Sequence, residues 1–216
     1  MENAKHAFWQ AFFLTMLFFL IGLVLGVYFE QIRSDGFSTA FYNSEVYLYD
    51  SFALGKLISG NQTSCGDLKE ANLNFADKIY SEARNLERYD EKNQIIESIK
   101  SVHRKYDLLR TILWINLIEL EEKCGQINTI VYLYFYNSDD IETKSKQIVW
   151  GRVLSEVKEK EGGNTILIPI AVDQDVESLN YLIRKYDVEK FPAVLINEKD
   201  IFYEHKTSEE IRGYLE

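Results

Sequence analysis

The chain has 216 residues, 46% hydrophobic and 14% aromatic, with only 2 prolines and 11 glycines. That composition sustains one or two packed domains and argues against a long disordered tail. The formal charge of −10 argues against nucleic acid as a partner, since phosphate binding needs clustered Lys and Arg.

Residues 7–29 form an uncharged run of 23 residues. As a helix rising 1.5 Å per residue, the run reaches about 34 Å, enough for a hydrocarbon core of about 30 Å. Trp9 and Tyr28 stand where the two membrane interfaces would fall. A cleaved signal peptide competes, because Ser38-Thr39-Ala40 resembles a small-x-small cleavage site. The run is longer than a usual signal core of about 7–15 residues, however, and that site lies far downstream of it. A retained anchor is the better reading, with membrane lipid as its partner. Lys5 and the terminal amine outweigh Glu2, whereas Glu30, Arg33 and Asp35 follow the run. This asymmetry puts the N-terminus in the cytoplasm and the rest outside, a single-pass cell-membrane protein. Gly22 and Gly26 have the Gly-x-x-x-Gly spacing through which two anchors can form a homodimer.

Residues 30–64 are too apolar for a free linker, with Phe41, Val46, Tyr47, Tyr49, Phe52, Leu54, Leu57 and Ile58. They read as a juxtamembrane short helix or interfacial segment, ending in a turn at Ser59-Gly60-Asn61. Asn61-Gln62-Thr63 is an N-glycosylation sequon, a triplet that also arises often by chance.

Beyond it, Leu68, Phe75, Ala76, Ile79, Ala83 and Leu86 make one helical stripe. A second consists of Ile99, Val102, Tyr106, Leu109, Leu113, Leu117 and Leu120. With a polar turn between them near Tyr89–Asn93, residues 65–124 predict an antiparallel, coiled-coil-like helical hairpin. Arg110, Asn116 and Glu119 exclude a second membrane span. Cys65 opens the hairpin and Cys124 closes it, so the fold predicts neighbouring sulfurs and a structural disulfide, which an oxidising outer compartment would keep. A reactive pair exchanging electrons and two unpaired thiols are the alternatives. Two distant cysteines and three scattered histidines (His6, His103, His205) lack metal-ligand spacing, and no cofactor motif is present.

Helical periodicity stops at Cys124-Gly125-Gln126, and residues 127–216 alternate strand and helix. Residues 130–136 are a β-branched and aromatic strand. Ser138, Asp139 or Asp140 can cap the helix that follows. Its core face is predicted at Ile148, Val149, Val153, Leu154 and Val157, with Gly162-Gly163 as its end. Residues 165–172 give a second strand, parallel to the first. Leu179, Leu182, Ile183 and Tyr186 line a shorter helix, residues 193–196 and 201–203 pair as a hairpin, and 209–215 close the chain. Pro169 lacks an amide, so its strand belongs at a sheet edge.

That order of elements, and the stretch from Ile170-Ala171-Val172-Asp173 to Phe191-Pro192-Ala193-Val194, is similar to the thioredoxin-like superfamily over about 90 residues. The resemblance implies an α/β (α+β) sheet domain behind the anchor and hairpin. It also implies a cis-proline at Pro192 and a peptide contact at Phe191 and Pro192. It departs from the family where redox members carry Cys-x-x-Cys: Asn137, Ser138, Asp139, Asp140 and Glu142 occupy that turn, and positions 144–147 also lack cysteine. Without sulfur there, the expectation is a non-catalytic extracytoplasmic protein with a protein-binding, assembly or chaperone-like role. The alternatives are a thiol-disulfide oxidoreductase using Cys65 and Cys124 or a partner's cysteine, and a structural subunit of a membrane complex.

Overall fold

The computed structural model describes residues 2–60, 64–90, 97–125 and 127–215. Asn61 of the sequon, the hairpin turn at 91–93 and Gln126 lie outside the described residues. Met1–Asn43 and Ser44–Glu216 are two compact units. Helix α1 (Glu2–Ser59) begins in the first. There, Phe8–Gln31 is a helical stretch long and apolar enough to cross a membrane, with none of it buried against the protein.

The second unit starts with the end of α1. The segment expected as a short helix or interfacial piece is helical without a break to Ser59, where Gly60 closes it by donating its amide to the Leu57 carbonyl at 3.2 Å. Its packed face is marked by Ser44, Ser51 and Ile58, seven residues apart and nearly inaccessible to solvent. Small side chains let another helix approach. Asn116 Nδ2 donates to the Ser51 carbonyl at 2.9 Å, and Ser59 donates to Glu119 at 2.6 Å. Lys123 donates to the carbonyls of Ile58 and Gly60.

Those partners lie on α3 (Glu97–Cys124), which packs antiparallel to α2 (Cys65–Asp90). From α2, Leu68, Phe75, Ile79 and Ala83 are buried, with Asn72 among them. In α3 burial extends beyond the expected stripe to Thr111, Ile112 and Trp114. A helix covered on most sides is a core element: one side of α3 meets α1 and α2, another meets the sheet.

The sheet has four strands in the order β2-β1-β3-β4. Strand β1 (Asn128–Tyr134) pairs parallel with β2 (Thr165–Ala171) and antiparallel with β3 (Ala193–Ile196), which pairs antiparallel with β4 (Asp200–Phe202). Between β1 and β2 runs α4 (Ile141–Glu161). Gly162 ends it with a left-handed φ of 62°, a conformation that favours glycine. Helices α5 (Glu177–Lys185) and α6 (Ser208–Arg212) follow β2 and β4. On one face Ile130, Tyr132, Val194 and Ile196 pack with Trp150, Leu154 and Val157 of α4 and Ile211 of α6. The face expected on α4 is met at Val153, Leu154 and Val157 and missed at its start. Ile148 and Val149 are exposed, because the buried row runs 150, 154, 157 and puts Trp150 inward.

Pro169 is on an edge strand, as its missing amide requires. Val172 N–H donates to the Tyr134 carbonyl at 2.8 Å. Even-numbered residues of β2 thus face β1, and odd-numbered amides face outward. Pro169 offers no outward amide, and that of Ala171 donates to the buried Asp107 of α3 at 3.2 Å. Two successive outward positions are closed to strand addition.

Helix α3 also grips the far end of the sheet. Trp114 Nε1 donates to Glu198 at 2.7 Å, and the Thr129 hydroxyl donates to the same carboxylate at 2.9 Å. Glu198 and Asn197, in the β3–β4 turn, have left-handed φ of 56° and 48°.

Candidate functional site: the turn between β1 and α4

The turn between β1 and α4 runs from Phe135 to the first residues of α4 and contains no cysteine. Asp173, just beyond β2, holds its start: the two carboxylate oxygens accept from the amides of Tyr136 and Asn137, both at 2.8 Å. Of the three candidate caps, Asp140 is the N-cap of α4. It accepts from the Thr143 amide at 2.8 Å and the Thr143 hydroxyl at 2.6 Å. Those bonds, the hydroxyl's foremost, hold the exposed Asp140 carboxyl below the usual carboxylate range. Asp139 is exposed, and Glu142 is paired with Lys146 at 3.1 Å. Among the described residues no group of three or more His, Cys, Asp or Glu is placed to hold a metal ion.

Across the turn lies the Phe191–Pro192 peptide bond, which is cis. Pro192 is buried and Phe191 half-buried, with the Phe191 ring edge-to-face with Phe135 at 5.6 Å between centroids. The β1–β3 register, with Leu133 opposite Ala193, would bring Phe135 opposite Phe191 if the ladder continued. Instead, Gln147 of α4 takes the polar groups of Phe135. Its Oε1 accepts from the Phe135 amide at 2.9 Å, and its Nε2 donates to the Phe135 carbonyl at 3.0 Å. A side-chain amide thus supplies the donor–acceptor pair that a neighbouring strand would supply. The Tyr132 hydroxyl donates to the Gln147 carbonyl at 3.2 Å, and burial pushes that phenol's pKa up.

The structure sets Phe135, at the head of the turn that holds Asn137 to Glu142, against Phe191. It adds Phe135, Gln147 and Asp173, which sequence reading missed. Asp173 carries a weak signal, an acid directly after a strand. Gln147 has none, because a polar residue on a helix reads as solvated.

Cys65 and Cys124 belong elsewhere. They are joined at the open end of the α2–α3 pair, with Cα atoms 5.6 Å apart. His103, near the other end of α3, lies against Tyr136 of the turn with ring centroids 4.6 Å apart. From position 103 to position 124 a helix rises about 30 Å, so the sulfurs are far from the turn. The chain's two cysteines are too far apart in sequence for a Cys-x-x-Cys motif anywhere.

No protein-family model matches the chain, and a comparison with curated proteins finds no relative.

Proposed function

We propose that this chain is a membrane-anchored, extracytoplasmic, non-catalytic member of the thioredoxin-like superfamily that binds segments of other proteins in an assembly or chaperone-like role. Residues 7–29 are the anchor in this reading, with the N-terminus in the cytoplasm. Residues 65–124 are the helical hairpin, and residues 127–216 the thioredoxin-like part. The sheet order and the helical crossover between β1 and β2 support the kinship. One observation supports the non-catalytic reading: the turn from Phe135 to α4, beside the Phe135–Phe191 ring contact at 5.6 Å, contains no cysteine. Cys65–Cys124 is a structural staple in this account, supported by its distance from that turn.

A photo-reactive phenylalanine analogue at Phe191 of the full chain tests the reading in intact membranes. Covalent adducts with several proteins, and insulin reduction no faster than background, are the expected results. Dithiol turnover abolished by Cys65→Ser would establish the oxidoreductase instead. One partner captured at fixed stoichiometry would establish a complex subunit. The staple is expected to have a reduction potential below about −300 mV.

A further inference from the structure

Where β3 stops, one side chain stands in for a strand. The Asn197 amide donates to the Thr129 carbonyl at 3.0 Å, so odd-numbered residues of β1 turn their backbone groups toward β3. Strand β3 begins at Ala193, opposite Leu133. At Phe135, the next odd-numbered position, Gln147 Oε1 accepts from the amide at 2.9 Å and Nε2 donates to the carbonyl at 3.0 Å. We propose that Gln147 is a displaceable latch, and that an extended segment of a bound protein takes its place on Phe135 as a short strand antiparallel to β1. The latch regulates the peptide-binding role proposed above and rests on it.

The bonds themselves select the occupant. In a hydrogen-bonded antiparallel pair, one residue both donates to and accepts from the residue opposite, and the Gln147 carboxamide reproduces that pattern. Whatever replaces it without stranding the Phe135 amide and carbonyl must bring the same two groups. A peptide backbone does so at each residue in an extended segment. A carboxylate supplies only the acceptor, an ammonium only the donor, and an apolar surface neither. The β2 edge does not compete for such a segment, since Pro169 and the bond from Ala171 to Asp107 close it.

The latch is built to yield without disturbing its helix. Gln147, Phe135 and Phe191 are each half-buried. The start of α4 is held by the Asp140 cap, and the Tyr132 hydroxyl donates to the Gln147 backbone carbonyl at 3.2 Å. Rotation of the Gln147 side chain alone therefore uncovers Phe135 while α4 stays in place. Two hydrogen bonds break and two form, so the exchange is close to balanced. Net affinity then comes from flanking contacts, and the paired rings of Phe135 and Phe191 offer apolar surface for them.

The test uses the full chain in lipid vesicles, with a photo-reactive phenylalanine analogue at Phe191 and a mixture of short random-sequence peptides as the probe. Capture against peptide concentration gives an apparent affinity. Gln147→Met keeps the length of the side chain and removes both bonds, so this affinity is expected to rise roughly five- to hundredfold. Met suits a helix, so the variant should fold; Trp114 fluorescence checks it. The same peptides methylated at every amide nitrogen cannot donate to the Phe135 carbonyl, and are expected to gain nothing from the variant. In detergent micelles, exchange of the Phe135 amide should quicken in Gln147→Met and slow again when unmethylated peptide is added. Capture with equal or weaker affinity in Gln147→Met, a gain shared by methylated peptides, or Phe135 exchange indifferent to peptide would each overturn the latch and leave the binding role standing. No capture in either chain would overturn both.

Discussion

Gly55 tests the packing that draws α1 into the second unit. A Cβ built at this glycine meets Asn116 Oδ1 at 2.7 Å, closer than real Cβ contacts come. Asn116 is 5% exposed, and its other amide atom is committed to the Ser51 carbonyl at 2.9 Å. Displacing it forfeits that hydrogen bond, about 0.5–1.5 kcal/mol, and crowding the contact adds about 1–3 kcal/mol. Against this, replacing glycine by alanine inside a helix gains about 1 kcal/mol. Gly55→Ala is therefore expected to destabilise by roughly 0.5–3.5 kcal/mol. With Asn116→Ala the methyl group has room, and the same change should stabilise by up to about 1 kcal/mol, a coupling of roughly 2–4 kcal/mol. Denaturant unfolding of the full chain in detergent micelles measures both, read by the fluorescence of Trp114 and Trp150, which are fully buried. If Gly55→Ala raises the midpoint by itself and Asn116→Ala leaves its effect unchanged, the α1–α3 contact is refuted.

Three further outcomes follow from particular groups. Burial pushes the Asp107 carboxyl up from 3.8 to about 6, although Arg110 at 3.1 Å opposes the shift. The folded state then holds this proton more tightly than the unfolded one. The group's contribution is complete below about pH 4 and falls away as pH rises through 6, by roughly 3 kcal/mol at most; Asp107→Asn should flatten that part of the stability profile, and an unchanged slope contradicts the assignment. Gln147→Ala removes both bonds to Phe135, lowering stability by about 1–3 kcal/mol while raising crosslinking from Phe191, as the Phe135 backbone becomes open to other chains. Replacing Cys65 and Cys124 by serine releases a loop closed over 59 residues; unfolding midpoints should report a loss of about 2–4 kcal/mol.

Residues whose burial repeats with a local period were legible before any coordinates. Leu68 to Ala83 on α2 and Val102 to Leu120 on α3 carry the helical period, and the run around Ile130 carries a buried strand. Pro169 located a sheet edge because a missing amide is a property of one residue. Gly162 marked the end of α4 for the same reason. The packed face of α1 gave no such signal: it is built from Ser44, Ser51 and Gly55, whose value lies in how closely they let α3 approach. Trp150, in place of Ile148 and Val149, fills the first buried position of α4 because the pocket over Ile130 and Val194 exists only once the sheet has formed.

The amino-acid order by itself determined the apolar span, the helical pair, the mixed strands and the lack of any Cys-x-x-Cys, all consequences of short-range pattern or of which atoms a residue possesses. The tertiary structure alone decided that α1 joins α2 and α3, that Asp107 seals the β2 edge, and that Gln147 closes the corner beside Pro192. Each of these depends on a polar or small side chain meeting a backbone group far away in sequence, and such a meeting leaves no periodic trace along the chain.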